Sequence, residues 1–233
     1  MRATAFEFRI RFFIIFAILL LGFWSPGLQT ASVWMLLSGW LAHQHLLTIQ
    51  AASIAVGAAA FVCAIAAALL RTWASAWLGP DIVLSQQMHS AAVVANGPFR
   101  HVRNPLYLGL TLNIIALSIL MPLPGAIFTI VAIVIFLLRL IFGEEARLAE
   151  TPGYRAYAVL VPRLWPSLRP RVPSSPGQRP QWLRATLTEL YFWGAAICFA
   201  ILLPQYNTAI LIRGILISFG IGLVARGLLL RKP

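Results

Sequence analysis

"PLYLGLTLNIIALSILMPLPGAIFTIVAIVIFLLRLIFGEE", residues 105–145, decides the fold class. Two apolar runs flank "MPLPG" at Met121–Gly125, and no charged side chain interrupts them before Arg139, Glu144 and Glu145. Proline and glycine between apolar runs mark a tight reversal. The stretch therefore reads as an antiparallel helical hairpin, with one helix over about residues 105–120 and the next over about 126–142. Pro105 suits a first helical turn, where its missing N–H needs no partner. Both polar ends of the hairpin return to one side.

The surrounding chain reads the same way. Of 233 residues, 60% are hydrophobic and only 10% charged, with a mean hydropathy of +0.84. A soluble domain needs more charge than that to wet its surface. The expected fold class is an all-α, polytopic membrane helix bundle. Apolar runs at about 12–24, 48–70, 105–120, 126–142, 187–203 and 210–228 predict about six transmembrane helices. The run at 31–47 is interrupted by Ser38, His43, Gln44 and His45, and suits either an interfacial helix or a slanted span. "SPG" at Ser25–Gly27 ends the first run, and "PQYN" at 204–207 turns between the last two. The first run follows Arg2, Arg9 and Arg11 as in a signal peptide, but no small-residue cleavage site follows it, so an uncleaved span is expected. The chain divides into N-terminal membrane segments (1–70), a core holding the polar motifs (71–170), a Pro/Arg-rich linker (171–186) and a C-terminal hairpin (187–233).

The formal charge is +12, from 17 Arg and one Lys against six acids. On a soluble protein this would point to nucleic acid. Here the cations gather at the ends of apolar runs: Arg2, Arg9 and Arg11; Arg71, Arg100 and Arg103; seven arginines from Arg147 to Arg184; and Arg226, Arg231 and Lys232. The opposite loops carry none, with Arg213 a near-exception. That asymmetry is the positive-inside pattern; it excludes nucleic acid as partner and predicts cytoplasmic termini and a cytoplasmic polar site, in a bacterial inner membrane. Cys63 and Cys198 lie inside apolar runs without metal-ligand spacing and read as filler, so no metal is expected. Glu189 reads as a favourable charge at a helix N-terminus.

The chemistry concentrates at the hairpin's polar ends. "GPFRHVRNPLYLGL" (Gly97–Leu110) enters it and "GEEARL" leaves it. On a helix beginning near Arg103, Arg103 and Tyr107 share a face, as do Arg100 and Asn104 if the helix extends back. A cation, an amide, a phenol and two carboxylates would then meet at the bilayer boundary. Paired acids there are expensive unless they have a partner or a task. Plainer readings are water-facing glutamates with Arg147 as helix neighbour, a snorkelling Arg139 and an interfacial His101.

The motif set resembles the isoprenylcysteine carboxyl methyltransferase and phospholipid methyltransferase superfamily of integral membrane enzymes. It comprises Gly97, Pro98, Phe99, Arg100, Arg103, Asn104, Pro105, Tyr107 and Gly109, then Glu144, Glu145 and Leu148. Gly153, Tyr154, Tyr157, Val161, Pro162, Arg163 and Pro166 follow in order. The resemblance implies S-adenosylmethionine as cofactor and methyl transfer to a carboxylate, thiol or amine of a lipophilic, lipid-like acceptor drawn from the membrane. It implies Arg103 and Glu145 as catalytic residues. It implies Arg100, His101, Asn104, Tyr107, Glu144, Glu145, Tyr157 and Arg163 around the cofactor, under a lid formed by "GYRAY" and "VPRLWP". The carboxyl methyltransferase branch has His where this chain has Asn104. An amide is no base at neutral pH, which sets the isoprenylcysteine substrate apart from the cofactor. Two other readings are a nicotinamide-dependent, sterol-type membrane reductase and a non-enzymatic scaffold in which the motif charges pair to hold the hairpin.

Overall fold

The computed structural model describes residues 2–24, 31–79, 95–175, 179–202 and 207–230. The expected turns at Ser25–Gly27 and 204–206, and the polar stretch with Asp81 and His89, lie outside them. The described helices are α1 (Ala5–Arg9), α2 (Arg11–Phe23), α3 (Val33–His43), α4 (Ile49–Leu78), α5 (Pro105–Ser118), α6 (Leu123–Leu148), α7 (Tyr154–Leu160), α8 (Trp182–Thr188), α9 (Leu190–Leu202) and α10 (Thr208–Leu230), with a 3-10 turn at Gly97–Arg100 before α5.

The expectation of an all-α membrane bundle holds, but that of about six spans does not. Among the described residues, three helices are long and apolar enough to cross a membrane: Ile49–Leu78, Leu123–Leu148 and Thr208–Leu228. Helices α2, α5 and α9 are apolar but have only 13, 14 and 13 residues. At about 1.5 Å per residue they reach roughly 20 Å, short of a hydrocarbon core of about 30 Å. The 12–24 and 105–120 runs each amount to one short helix, and the 187–203 run is broken at Glu189, between α8 and α9. The 31–47 run resolves into α3, 11 residues long, which is too short to span.

Helix α4 organises the bundle. Thr48 caps it, its Oγ1 accepting from the Ala51 N–H at 3.2 Å. Ala52, Gly57, Ala60, Ala64, Ala67, Ala68, Arg71 and Ala74 are buried along it, a stripe at helical spacing. Small side chains let neighbouring backbones approach closely, and α3, α5, α8 and α9 all pack against α4. The helix runs through Arg71 to Leu78 instead of ending at Arg71, as the charge suggested.

One close approach to α4 is at Gly109 of α5. A Cβ there would sit 2.5 Å from Arg71 Cγ and 3.3 Å from the Ala67 carbonyl oxygen. Gly109→Ala is expected to lower stability by about 1–3 kcal/mol through overpacking, read as a fall in the thermal midpoint in detergent. An unchanged midpoint would show that α5 shifts freely.

The hairpin of α5 and α6 forms as expected, and α3 is tied to its turn by Val33 N–H to Met121 O (2.9 Å) and Trp34 N–H to Ile119 O (2.8 Å). On the other flank, α2 packs on α6. Phe8, Ile114, Ile133, Phe136, Leu137 and Leu140 form the core there, with Tyr107 and Leu110 against it. Arg139 donates to both oxygens of Glu7 (2.7 and 2.9 Å), joining α6 to α1. The Glu7 carboxyl is held below its usual range by the Thr4 backbone N–H, with Arg139 adding to the effect against partial desolvation.

Candidate functional site

The site lies where α5 begins and α6 ends. Helix α5 starts at Pro105, and Asn104 precedes it with extended φ of −123°. A proline disfavours the α conformation in the residue before it. Arg103 and Tyr107 therefore do not share a helix face, and Arg100 sits in the separate 3-10 turn. The residues meet through the bend instead.

Glu145 is the hub. Its Oε1 accepts from Asn104 Nδ2 at 3.0 Å. Its Oε2 accepts from Arg163 Nε at 2.9 Å and lies 3.2 Å from an Arg103 guanidinium nitrogen. Asn104 Nδ2 also donates to the Arg163 carbonyl (3.1 Å), and the Arg103 N–H donates to the Pro162 carbonyl (2.9 Å). The segment after α7 is thus stitched onto the start of α5. Glu145 is buried, and its two oxygens are satisfied by protein.

Glu144 behaves differently. It faces α5, where Tyr107 Oη donates to its Oε1 at 2.9 Å, and no Glu144–Arg147 pair forms among the described residues. The buried Arg11 guanidinium of α2 acts electrostatically on both Glu144 and Tyr107. Glu144 and Tyr107 each keep accessible surface, and Glu144 Oε2 has no protein partner among the described residues. Arg103 Nε is buried without a hydrogen-bond partner among the described residues. A buried, unpaired guanidinium N–H is costly in a finished core, so the site has unused donor and acceptor capacity.

Residues 154–175 close over this region. Tyr157 Oη donates to the Phe99 carbonyl at 2.7 Å. Burial pushes its phenol well above the usual range, so it stays a donor. Tyr154, Tyr157 and Val161 form a small core with Leu148 and Val172. Arg100 Nε donates to the Val172 carbonyl (2.8 Å), and His101 Nδ1 is 2.8 Å from the Ser167 carbonyl. The structure therefore brings Arg103, Asn104, Tyr107, Glu144, Glu145 and Arg163 together. It places Arg100, His101 and Tyr157 on the seam that holds the lid.

A second buried polar group was not foreseen. Glu189, fully buried, accepts from Arg71 Nε (2.7 Å) and a second Arg71 nitrogen (3.0 Å), and from Ser75 Oγ (2.7 Å). Arg226 of α10 approaches it at 3.7 Å. Arg71 also donates to the Leu106 carbonyl at 3.0 Å, between Asn104 and Tyr107 in the chain. Glu189 stands directly before α9, as expected of a helix-start charge, but it is also a structural clamp between helices. Both residues have plainer local readings, Arg71 at the end of an apolar run and Glu189 at a helix start, and neither reading points to the other.

A helix bundle with three described helices long and apolar enough to cross a membrane defines an integral membrane protein. Residues 52–154 match the phospholipid methyltransferase family, so the resemblance read from the motifs is shown over that segment. It includes α4, α5 and α6 with Arg103, Asn104, Tyr107, Glu144 and Glu145, and stops before Tyr157 and Arg163. It covers less than half of the chain. No curated protein and no solved structure matches.

Proposed function

We propose that the protein is an S-adenosylmethionine-dependent membrane methyltransferase acting on a lipophilic acceptor. The observation that carries this is the unused capacity at the site: among the described residues, Arg103 Nε is buried without a partner and Glu144 Oε2 is unengaged, both within the family segment. These groups fit the cofactor's chemistry. Arg103 can pair a carboxylate, and Glu144 can accept from an amino or hydroxyl group. S-adenosylmethionine, when bound, supplies an electrophilic methyl on a sulfonium. Tyr107 holds Glu144 in place by its hydroxyl, and its ring offers a π face toward a cation. Glu145 fixes Arg103 and Asn104 and, through Arg163, keeps the lid down. Asn104 donates both its observed bonds and orients without moving a proton. Holding reactants in line supplies much of the rate in a displacement of this kind. The arginines at this end of the bundle, and their scarcity at the other, support placing the site on the cytoplasmic side.

A scaffold reading has one observation behind it: Glu145 is fully engaged by protein groups. Titration calorimetry of S-adenosylhomocysteine into detergent-purified protein separates the two. Micromolar binding, weakened about tenfold or more by Glu144→Gln (about 1.4 kcal/mol) with the thermal midpoint unchanged, is expected of the enzyme. No binding to a folded wild type would overturn the proposal.

A further inference from the structure

The lid's outer surface is unusual. Trp165 is 87% exposed, Leu168 100% and Val159 85%. They are not on a loose tail: the Ser167 N–H donates to the His101 carbonyl and the Arg171 N–H to the Arg100 carbonyl, both at 2.9 Å, so the backbone beneath them is anchored. Large apolar side chains held out from an anchored surface mark an interaction site. The same surface carries an open cleft of about 490 Å³, lined by Pro162, Trp165, Pro166, Leu168, Arg169 and Arg171.

Charge selects the occupant. No Asp or Glu lies between Glu150 and Glu189, while Arg155, Arg163, Arg169, Arg171, Arg179 and Arg184 do. Arg163 is committed to Glu145. Arg169 and Arg171 are exposed, with no ion pair among the described residues. Arg171 Nε donates to Ser167 Oγ at 2.8 Å, which orients its guanidinium at the cleft. The lid also follows directly on α6, whose length and composition suit a membrane span, so it sits at that helix's polar end.

We propose that the lid docks on the surrounding leaflet, with the Arg169–Arg171 edge of the cleft binding the phosphate of an anionic lipid and Trp165 and Leu168 inserted among the acyl chains just below. Basic side chains near an anionic leaflet are attracted within a Debye length, and tryptophan favours the interface. Docking would seat residues 162–171 over the site from outside, as Glu145 does from within. It rests on the lid's own surface and on membrane residence, so it stands or falls separately from methyl transfer.

The test uses full-length protein reconstituted into bilayers of phosphatidylcholine alone or mixed with phosphatidylglycerol, with bromine on the acyl chains of one lipid at a time. The chain has eight tryptophans, so the Trp165 signal is taken as wild type minus Trp165→Phe. Brominated phosphatidylglycerol is expected to quench that component and shield it from aqueous iodide. An Arg169→Gln/Arg171→Gln double variant, both changes being at exposed positions, is expected to lose the quenching and regain iodide access. Three outcomes would overturn the proposal: a Trp165 component open to iodide in every bilayer, equal quenching by brominated phosphatidylcholine, or displacement by soluble glycerol phosphate.

Discussion

Glu189→Gln is expected to be the most damaging isosteric change in the protein, at about 3–5 kcal/mol. The side chain keeps its shape but loses the charge that Arg71, Ser75 and Arg226 converge on. Coulomb attraction between such groups is strong where water is excluded, and removing one partner strands the other. Arg71 would be left inside α4 against Phe192, whose ring is 4.3 Å from the guanidinium carbon. The effect should reach the candidate site, because Arg71 also holds the Leu106 carbonyl. The measurement is thermal unfolding in detergent, with Arg71→Met and the double variant completing a cycle. Strong coupling, with the double variant less impaired than the sum of the singles, is expected. A midpoint for Glu189→Gln indistinguishable from wild type would sink the clamp.

Glu145→Gln is expected to release the lid without unfolding the bundle. The amide can still meet Asn104, but it loses its charge-assisted bonds to Arg163 and Arg103. Arg163 is 42% exposed on its side chain, so solvent screens that partnership and its contribution is discounted. A loss of about 1.4 kcal/mol corresponds to roughly tenfold more open lid. Tryptic cleavage after Arg155 and Arg171 reads this directly, and should accelerate by about that factor while the thermal midpoint moves little. Because Glu145 acts on the lid through Arg163, Arg163→Gln should add little once Glu145 is changed. Fully additive effects would mean that the two do not work as a unit.

The contrast between Glu145 and Glu189 shows where sequence is informative. The α5–α6 hairpin was legible because apolar runs and the "MPLPG" punctuation are local signals. So was the convergence of Asn104, Tyr107, Glu144 and Glu145, which follows once the hairpin is drawn. The helix start was misjudged, although Pro105 was itself the sign that 103 and 104 lie outside the helix. The number of spans was overcounted because apolar character does not report helix length. Arg71 was read as the end of a span, since a charge in hydrocarbon needs a partner and its partner lies 118 residues away. No spacing rule joins Arg71 to Glu189, or Arg139 to Glu7; only the packed bundle does.

That separation has a consequence in time. Arg71 emerges from the ribosome well before Glu189, and at about 5–20 residues per second the interval is roughly 6–24 s. During it, α4 carries a guanidinium without its counter-ion, which disfavours settling into hydrocarbon. The Leu106 carbonyl meanwhile lacks a correctly placed donor. The family-matched segment is fully translated within that interval, yet its final geometry waits on helices outside it. Maturation of the site is therefore late in synthesis, completed only when the start of α9 arrives.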